Sequence, residues 1–101
     1  MKTSKLFTES SIGPITLRNR TIRSAAFESM CPGNAPSQQL LDYHRSVAAG
    51  GVGMTTVAYA AVAQSGLSFD RQLWMRKEIV PGLRKLTDSV HKEGAAASIQ
   101  L

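Results

Sequence analysis

The spacing of apolar residues changes several times along the chain, and each change marks an element. Leu6-Phe7 and Ile12-Gly13-Pro14-Ile15-Thr16-Leu17 suggest two short extended pieces around a Ser/Gly turn. Ile15 and Leu17 alternate as a half-buried strand does. Asn19 breaks the run, so the segment reads as a hairpin or cap ahead of the main fold. Thr21 to Ala26 then reads as the first central strand. From Phe27 to Pro36 the turn formers crowd together, with Cys31-Pro32-Gly33-Asn34 in the middle, and the expected structure is a loop.

Ser37 is a good helix N-cap, because its hydroxyl can accept from a free first-turn amide. Leu40, Leu41, Tyr43, His44, Val47 and Ala48 follow at helical spacing. The helix is expected to end near Ala49 with Gly50 as a left-handed cap, and Gly51-Val52-Gly53 to turn into Met54–Tyr59. That strand carries almost no charge, as burial on both faces requires. Ala60 to Arg76 reads as a loop whose Trp74 and Met75 pack back onto the domain. A second helix starts at Glu78, with Ile79, Val80, Leu83, Leu86 and Val90 on one stripe and Pro81 tolerated in the first turn. Asp88 and Lys92 are spaced to pair, and Gly94 stops the helix. Ala95–Leu101 is a final, small and apolar strand.

The order is therefore cap, strand, long loop, helix, strand, long loop, helix, strand. Alternating strands and helices imply parallel pairing with right-handed crossovers. With no reversal of strand order, both helices cover one face as in an arc of a (β/α)8 barrel; a doubly wound sheet is the competing closure. A sheet that breaks off at its third strand has an open edge and an uncovered face. The expectation is one partial domain over residues 1–101, the N-terminal part of something larger, since a closed barrel takes about 250 residues.

Composition narrows the function. A hydrophobic content of 43% with 19% charged residues fits a folded globular chain rather than a disordered one. No apolar run approaches the roughly 18 residues of a membrane span, and Met1-Lys2-Thr3-Ser4-Lys5 has no apolar stretch behind its basic start. The expected location is cytoplasmic, with no membrane partner. The net charge of +5 is spread along the chain without interleaved aromatics, which argues against a nucleic-acid surface. Cys31 is the sole cysteine, so neither a disulfide framework nor a cysteine metal site can be built; it is a small loop residue or a reactive thiol.

Ligands of parallel β/α folds bind at the C-terminal ends of the strands. Those ends are Ala25-Ala26-Phe27, Ala58-Tyr59 and Gln100-Leu101. Ala25 and Ala26 are small where a loop starts, which lets a flat ligand lie against the backbone or simply allows tight packing. Gln100 is the lone amide in an apolar strand. Either it meets a heterocycle edge with alternating donors and acceptors, or it is partly exposed or bonded to backbone. His44 and His91 fall on helices expected to lie outside, away from the strand ends. No catalytic triad, metal-spaced histidine pair or phosphate loop is present. Gly50-Gly51-Val52-Gly53 follows a helix and precedes a strand, the reverse of what a phosphate loop needs. No catalytic or metal-binding residue is assigned.

These segments, taken in order, resemble the Old Yellow Enzyme family, the NADH:flavin oxidoreductases. The resemblance rests on Leu6-Phe7 with Ile12–Arg20, on Ile22–Glu28, on Ala49–Met54, on Pro81-Gly82-Leu83 with Val90-His91 and Gly94, and on Ser98-Ile99-Gln100-Leu101. It implies the N-terminal portion of a TIM (β/α)8 barrel with three parallel strands, two helices and a hairpin cap. It further implies FMN at the mouth, with backbone around Ser24, Ala25, Ala26 and Phe27 facing the isoalloxazine, Tyr59 beside it, and the Gln100 amide at its pyrimidine edge. Two positions depart from the pattern. Many members have proline at Ala25 and threonine or cysteine at Phe27, where a polar side chain tunes the flavin; Phe27 cannot, and Cys31 does not take over that role. The family's substrate-anion pair, general acid and phosphate loops come from later strands.

The implied function is that of an FMN-dependent, ene-reductase-like oxidoreductase. It would pass hydride from NAD(P)H through flavin to an electron-poor alkene or related small-molecule acceptor, and the isolated chain would be inactive. The alternatives are a non-catalytic remnant that self-associates through the exposed sheet edge, or part of another barrel enzyme that binds a phosphorylated ligand.

Overall fold

The computed structural model describes residues 4–101. The basic start at residues 1–3 lies outside them. A short 3-10 turn at Lys5–Phe7, held by Ser4, stands where an extended piece was expected. Strands β1 (Ser10–Ile12) and β2 (Ile15–Leu17) form an antiparallel hairpin. Gly13 turns it at φ +54°, a conformation that glycine adopts without steric cost.

The main sheet contains β3 (Ile22–Arg23), β4 (Met54–Val57) and β5 (Ala96–Ile99), in that order and all parallel. Helix α1 (Gln38–Ala49) connects the first pair and α2 (Val80–Lys92) the second. Sequential strand order with right-handed crossovers puts both helices on one side, and α1 packs directly on α2. The doubly wound alternative, which needs a reversal of strand order, is not what forms. The three strands and two helices are an arc of a (β/α)8 barrel.

Local sequence explains each helix. The Ser37 hydroxyl accepts from the Leu40 amide at 3.0 Å and donates to the Met30 carbonyl at 2.5 Å, capping α1 and tying it to the preceding loop. Leu40, His44 and Ala48, four residues apart, form its buried stripe. In α2 the buried stripe is Leu86 and Val90, with Ile79 buried just ahead. The helix proper begins at Val80, two residues later than expected, because Lys77–Ile79 winds as a 3-10 turn. The left-handed residue after α1 is Gly51 (φ +107°), whereas Gly50 stays helical at φ −72° and continues the hydrogen-bond ladder to Ser46 and Val47. No Asp88–Lys92 ion pair forms among the described residues.

At the end of the sheet where the strands begin, Arg18 works as a clamp. Its guanidinium donates to the carbonyls of Ala48 (2.6 Å), Val52 (2.9 and 3.1 Å) and Glu93 (2.6 Å), reaching the ends of both helices. The Ala48 and Glu93 carbonyls lie at the C-terminal ends of α1 and α2, where they carry the negative end of the macrodipole, and Val52 lies in the turn that follows α1. Asn19 is buried beside it. Its amide donates to the Gly51 carbonyl at 2.7 Å and accepts from the Thr21 amide and hydroxyl. The residue that breaks the apolar run is thus a latch for the first α-to-β turn.

The two long loops at the other end are joined to each other. Cys31 donates its amide to the Arg71 carbonyl, Trp74 to that of Asn34, and the Asn34 side chain reaches the carbonyls of Asp70 and Gln72. Trp74 pairs with Ala61, and Met75 joins the core. Both loops therefore present one continuous surface at the C-terminal ends of the strands.

Candidate functional site

The ladder of β3 ends at Arg23, so Ser24–Phe27 runs on without strand partners, shorter pairing than the expected strand through Ala26. Ser24, Ala26 and Phe27 are exposed and Ala25 is half-buried. Two strands away, Gln100 extends β5 by one residue. Its amide donates to the Val57 carbonyl at 3.0 Å, and its own carbonyl accepts from Ala60 at 2.8 Å. With the backbone thus held, its exposed side chain makes no hydrogen bond among the described residues. An amide held at its root and free at its tip is available to a ligand.

Phe27 and Tyr59 meet through a third aromatic ring. Phe69, from the long loop after β4, lies 4.8 Å from the Phe27 ring and 5.6 Å from the Tyr59 ring, centroid to centroid. Both distances fall in the range of favourable aromatic pairs. Phe27 nevertheless stays 66% exposed, so the cluster offers an apolar surface at the strand ends. Nothing in the loop's composition distinguished Phe69.

Directly behind this surface is a buried polar network. The Glu28 side chain is 3% exposed. One carboxylate oxygen accepts from the Ala58 amide at 3.2 Å; the other lies 2.6 Å from Arg23 Nη1 and 2.8 Å from His44 Nε2. Arg23 also donates to the Thr56 carbonyl at 2.8 Å and to the Tyr43 hydroxyl at 3.1 Å, with its guanidinium 5.0 Å from the Tyr43 ring centre. His44 Nδ1 lies 2.7 Å from the Thr55 hydroxyl. A carboxylate only accepts, so the favourable tautomer carries its proton on Nε2 and accepts from Thr55 at Nδ1. The Nε2 contact is close but out of line for a hydrogen bond, and Nε2 has no other partner, so the attraction is mainly electrostatic.

His44 sits on the outer helix α1, as its spacing predicts, and its ring turns inward toward β4. It is fully buried between α1, β4 and the loop after β3. Its position on the apolar stripe of the helix was the available signal, since a buried polar ring requires partners. Glu28, inside a run of turn formers, gave no comparable sign.

Cys31 is 3% exposed and belongs to the core cluster with Leu40, Leu73 and Leu86. Burial first, and then the nearby Glu28 charge, push its thiol up to about 11. A thiolate is the reactive form, so the reactive-thiol reading fails here. A thiol-specific disulfide reagent is expected to leave Cys31 unmodified in the folded protein at pH 8 and to modify it fully in denaturant; stoichiometric reaction under native conditions would contradict this burial. Among the described residues no group of three metal-ligating side chains gathers, and no helix is long and apolar enough to cross a membrane.

Comparison with known proteins agrees with this architecture. Residues 5–101 match the NADH:flavin oxidoreductase / NADH oxidase family. The chain is 46% identical over 99 residues to a 4,4'-dithiodibutanoate disulfide reductase of Rhodococcus erythropolis, covering 98% of this chain and 25% of the relative. It is 39% identical over 106 residues to an NADPH dehydrogenase of Listeria monocytogenes, covering 97% and 30%. The fold matches a 2-naphthoyl-CoA reductase solved with 2-naphthoyl-CoA, at TM-score 0.90 and 25% identity over 96% of this chain and 15% of that one. The chain therefore spans less than a third of the length of these relatives. The strand-end geometry, the barrel arc and the match over nearly every residue lead to one assignment: the chain belongs to the NADH:flavin oxidoreductase / NADH oxidase family, the Old Yellow Enzyme family.

Proposed function

We propose that this chain forms one wall of an FMN site in an NAD(P)H-dependent oxidoreductase of the ene-reductase type. The observation that carries this reading is the pairing, at one end of a parallel sheet, of a small-residue run at Ser24–Ala26, exposed at Ser24 and Ala26, with the exposed amide of Gln100, which has no side-chain partner among the described residues. The residues fit the ring of FMN. Ser24, Ala25 and Ala26 leave the backbone accessible to a flat heterocycle, and Gln100 offers a donor and an acceptor together. Phe27, Phe69 and Tyr59 keep water from one side of the site. They do not supply a phosphate grip, because the only glycine-rich run serves the turn from α1 to β4.

When bound, FMN would supply the two-electron chemistry between a nicotinamide donor and an electron-poor acceptor. The chain's own part is to bind and orient the ring. Since Phe27 has no hydrogen bond to offer, any tuning of the flavin at that position comes from apolar contact. The names of the relatives, a disulfide reductase and an NADPH dehydrogenase, are consistent with a reductase that draws on a nicotinamide donor.

The isolated 101-residue chain is expected to show neither tight stoichiometric FMN binding nor NAD(P)H oxidation. In a full-length protein containing this segment, Gln100→Ala is expected to weaken FMN about tenfold, the loss of one well-made hydrogen-bonding group. Fluorescence titration checks both. Tight binding with turnover by the isolated chain would overturn its assignment as a partial wall, and unchanged affinity in Gln100→Ala would remove Gln100 from the site.

A further inference from the structure

We propose that Glu28 is a positioning residue that holds both flavin-facing segments in register, an inference that rests on the FMN reading above. Glu28 lies one residue beyond Phe27, the last of the four residues assigned to the ring. One of its oxygens holds the amide of Ala58, immediately before Tyr59. A single buried carboxylate thus spans the ends of β3 and β4.

The network around it accounts for its rigidity. Arg23 attaches it to β3, to the Thr56 carbonyl of β4 and to Tyr43 of α1. His44 attaches it to α1 and, through Thr55, to β4. Cys31, Arg23 and His44 are the titratable groups placed against it. Removing the carboxylate would leave the partly buried Arg23 with only the Thr56 carbonyl and the Tyr43 hydroxyl, and the fully buried His44 with only the Thr55 hydroxyl. The backbone from Ser24 to Phe27 would lose its fixed distance from Ala58 and Tyr59. A loosely held first layer is a common cause of weak cofactor binding, because ligand-facing groups need support from the layer behind them.

The test uses full-length, FMN-loaded protein carrying Glu28→Ala or Glu28→Gln. Wild-type protein is titrated first; failure of the wild type to bind FMN would refute the flavin reading itself, and the positioning role with it. With the wild type binding, Glu28→Ala is expected to raise the FMN dissociation constant about tenfold or more and to shift the visible flavin spectrum. Glu28→Gln, which keeps an acceptor for Ala58, is expected to fall between the two. All measurements are made well below the melting temperature of each variant. A folded Glu28→Ala variant with wild-type affinity and spectrum would overturn the proposal, even if its thermal stability fell. Should neither variant fold, Arg23→Lys makes a milder cut in the same network and is judged by the same criterion.

Discussion

Replacing His44 with alanine is expected to cost roughly 3–5 kcal/mol of folding stability, the range found when one partner of a buried charged network is removed. Three losses combine. The ring is fully buried, so its removal leaves a cavity between α1 and β4. The Thr55 hydroxyl, itself 0% exposed, loses its partner at 2.7 Å. Glu28 loses the electrostatic contact with Nε2 at 2.8 Å and keeps only Arg23 and the Ala58 amide. Thr55→Val separates these contributions. It deletes one hydrogen bond while keeping the volume, and should cost about 1 kcal/mol. Denaturant unfolding with matched slopes measures both. A His44→Ala cost no larger than that of Thr55→Val would mean that His44 is a space-filler and that Glu28 does not depend on it.

Gly53→Ala is the second large effect, expected at about 3 kcal/mol because the added methyl overpacks a rigid site. A Cβ at position 53 would sit 2.6 Å from the Asn19 carbonyl oxygen, 2.9 Å from the Asn19 side-chain oxygen and 2.9 Å from the Thr21 carbonyl. Two of these three are backbone atoms that cannot swing aside. They are also held in place, since Gly53 donates its amide to Thr21 and Asn19 is latched to Gly51. The cost is steric and does not involve backbone conformation, because Gly53 is not among the positive-φ glycines. Gly51→Ala tests the contrast: nothing lies within 4 Å of a Cβ there, and φ of +107° sets the whole penalty. Chemical denaturation of the two variants distinguishes the mechanisms. Wild-type stability in Gly53→Ala would show that Asn19 and Thr21 yield, and would refute the rigid turn.

Much of the architecture is legible in the sequence alone. Ser37, the four-residue spacing from Leu40 to Ala48 and the uncharged Met54–Val57 run identify their elements because capping and periodicity are local properties. The strand-end location of Ser24–Phe27, Tyr59 and Gln100 followed from the β/α order, since that topology places its ligands at one end of the sheet. The structure departs from the sequence pattern where a residue's state depends on its neighbours. Gly50 and Gly51 are adjacent glycines, and which of them turns left-handed is decided by the last carbonyls of α1. Asp88 and Lys92 have pairing distance in sequence, yet exposed side chains gain too little from one geometry to be held in it.

Local spacing and composition are enough to specify a parallel β/α arc, its capped helices and the end of the sheet where a ligand would lie, because each depends on residues a few positions apart. The partners of Glu28 are of another kind. Arg23, His44 and Ala58 stand 5, 16 and 30 positions away in the chain. Phe69 reaches Phe27 and Tyr59 only after the two long loops have been hydrogen-bonded together. Burial is what gives these contacts their strength, and burial exists only once the helices have closed over the sheet.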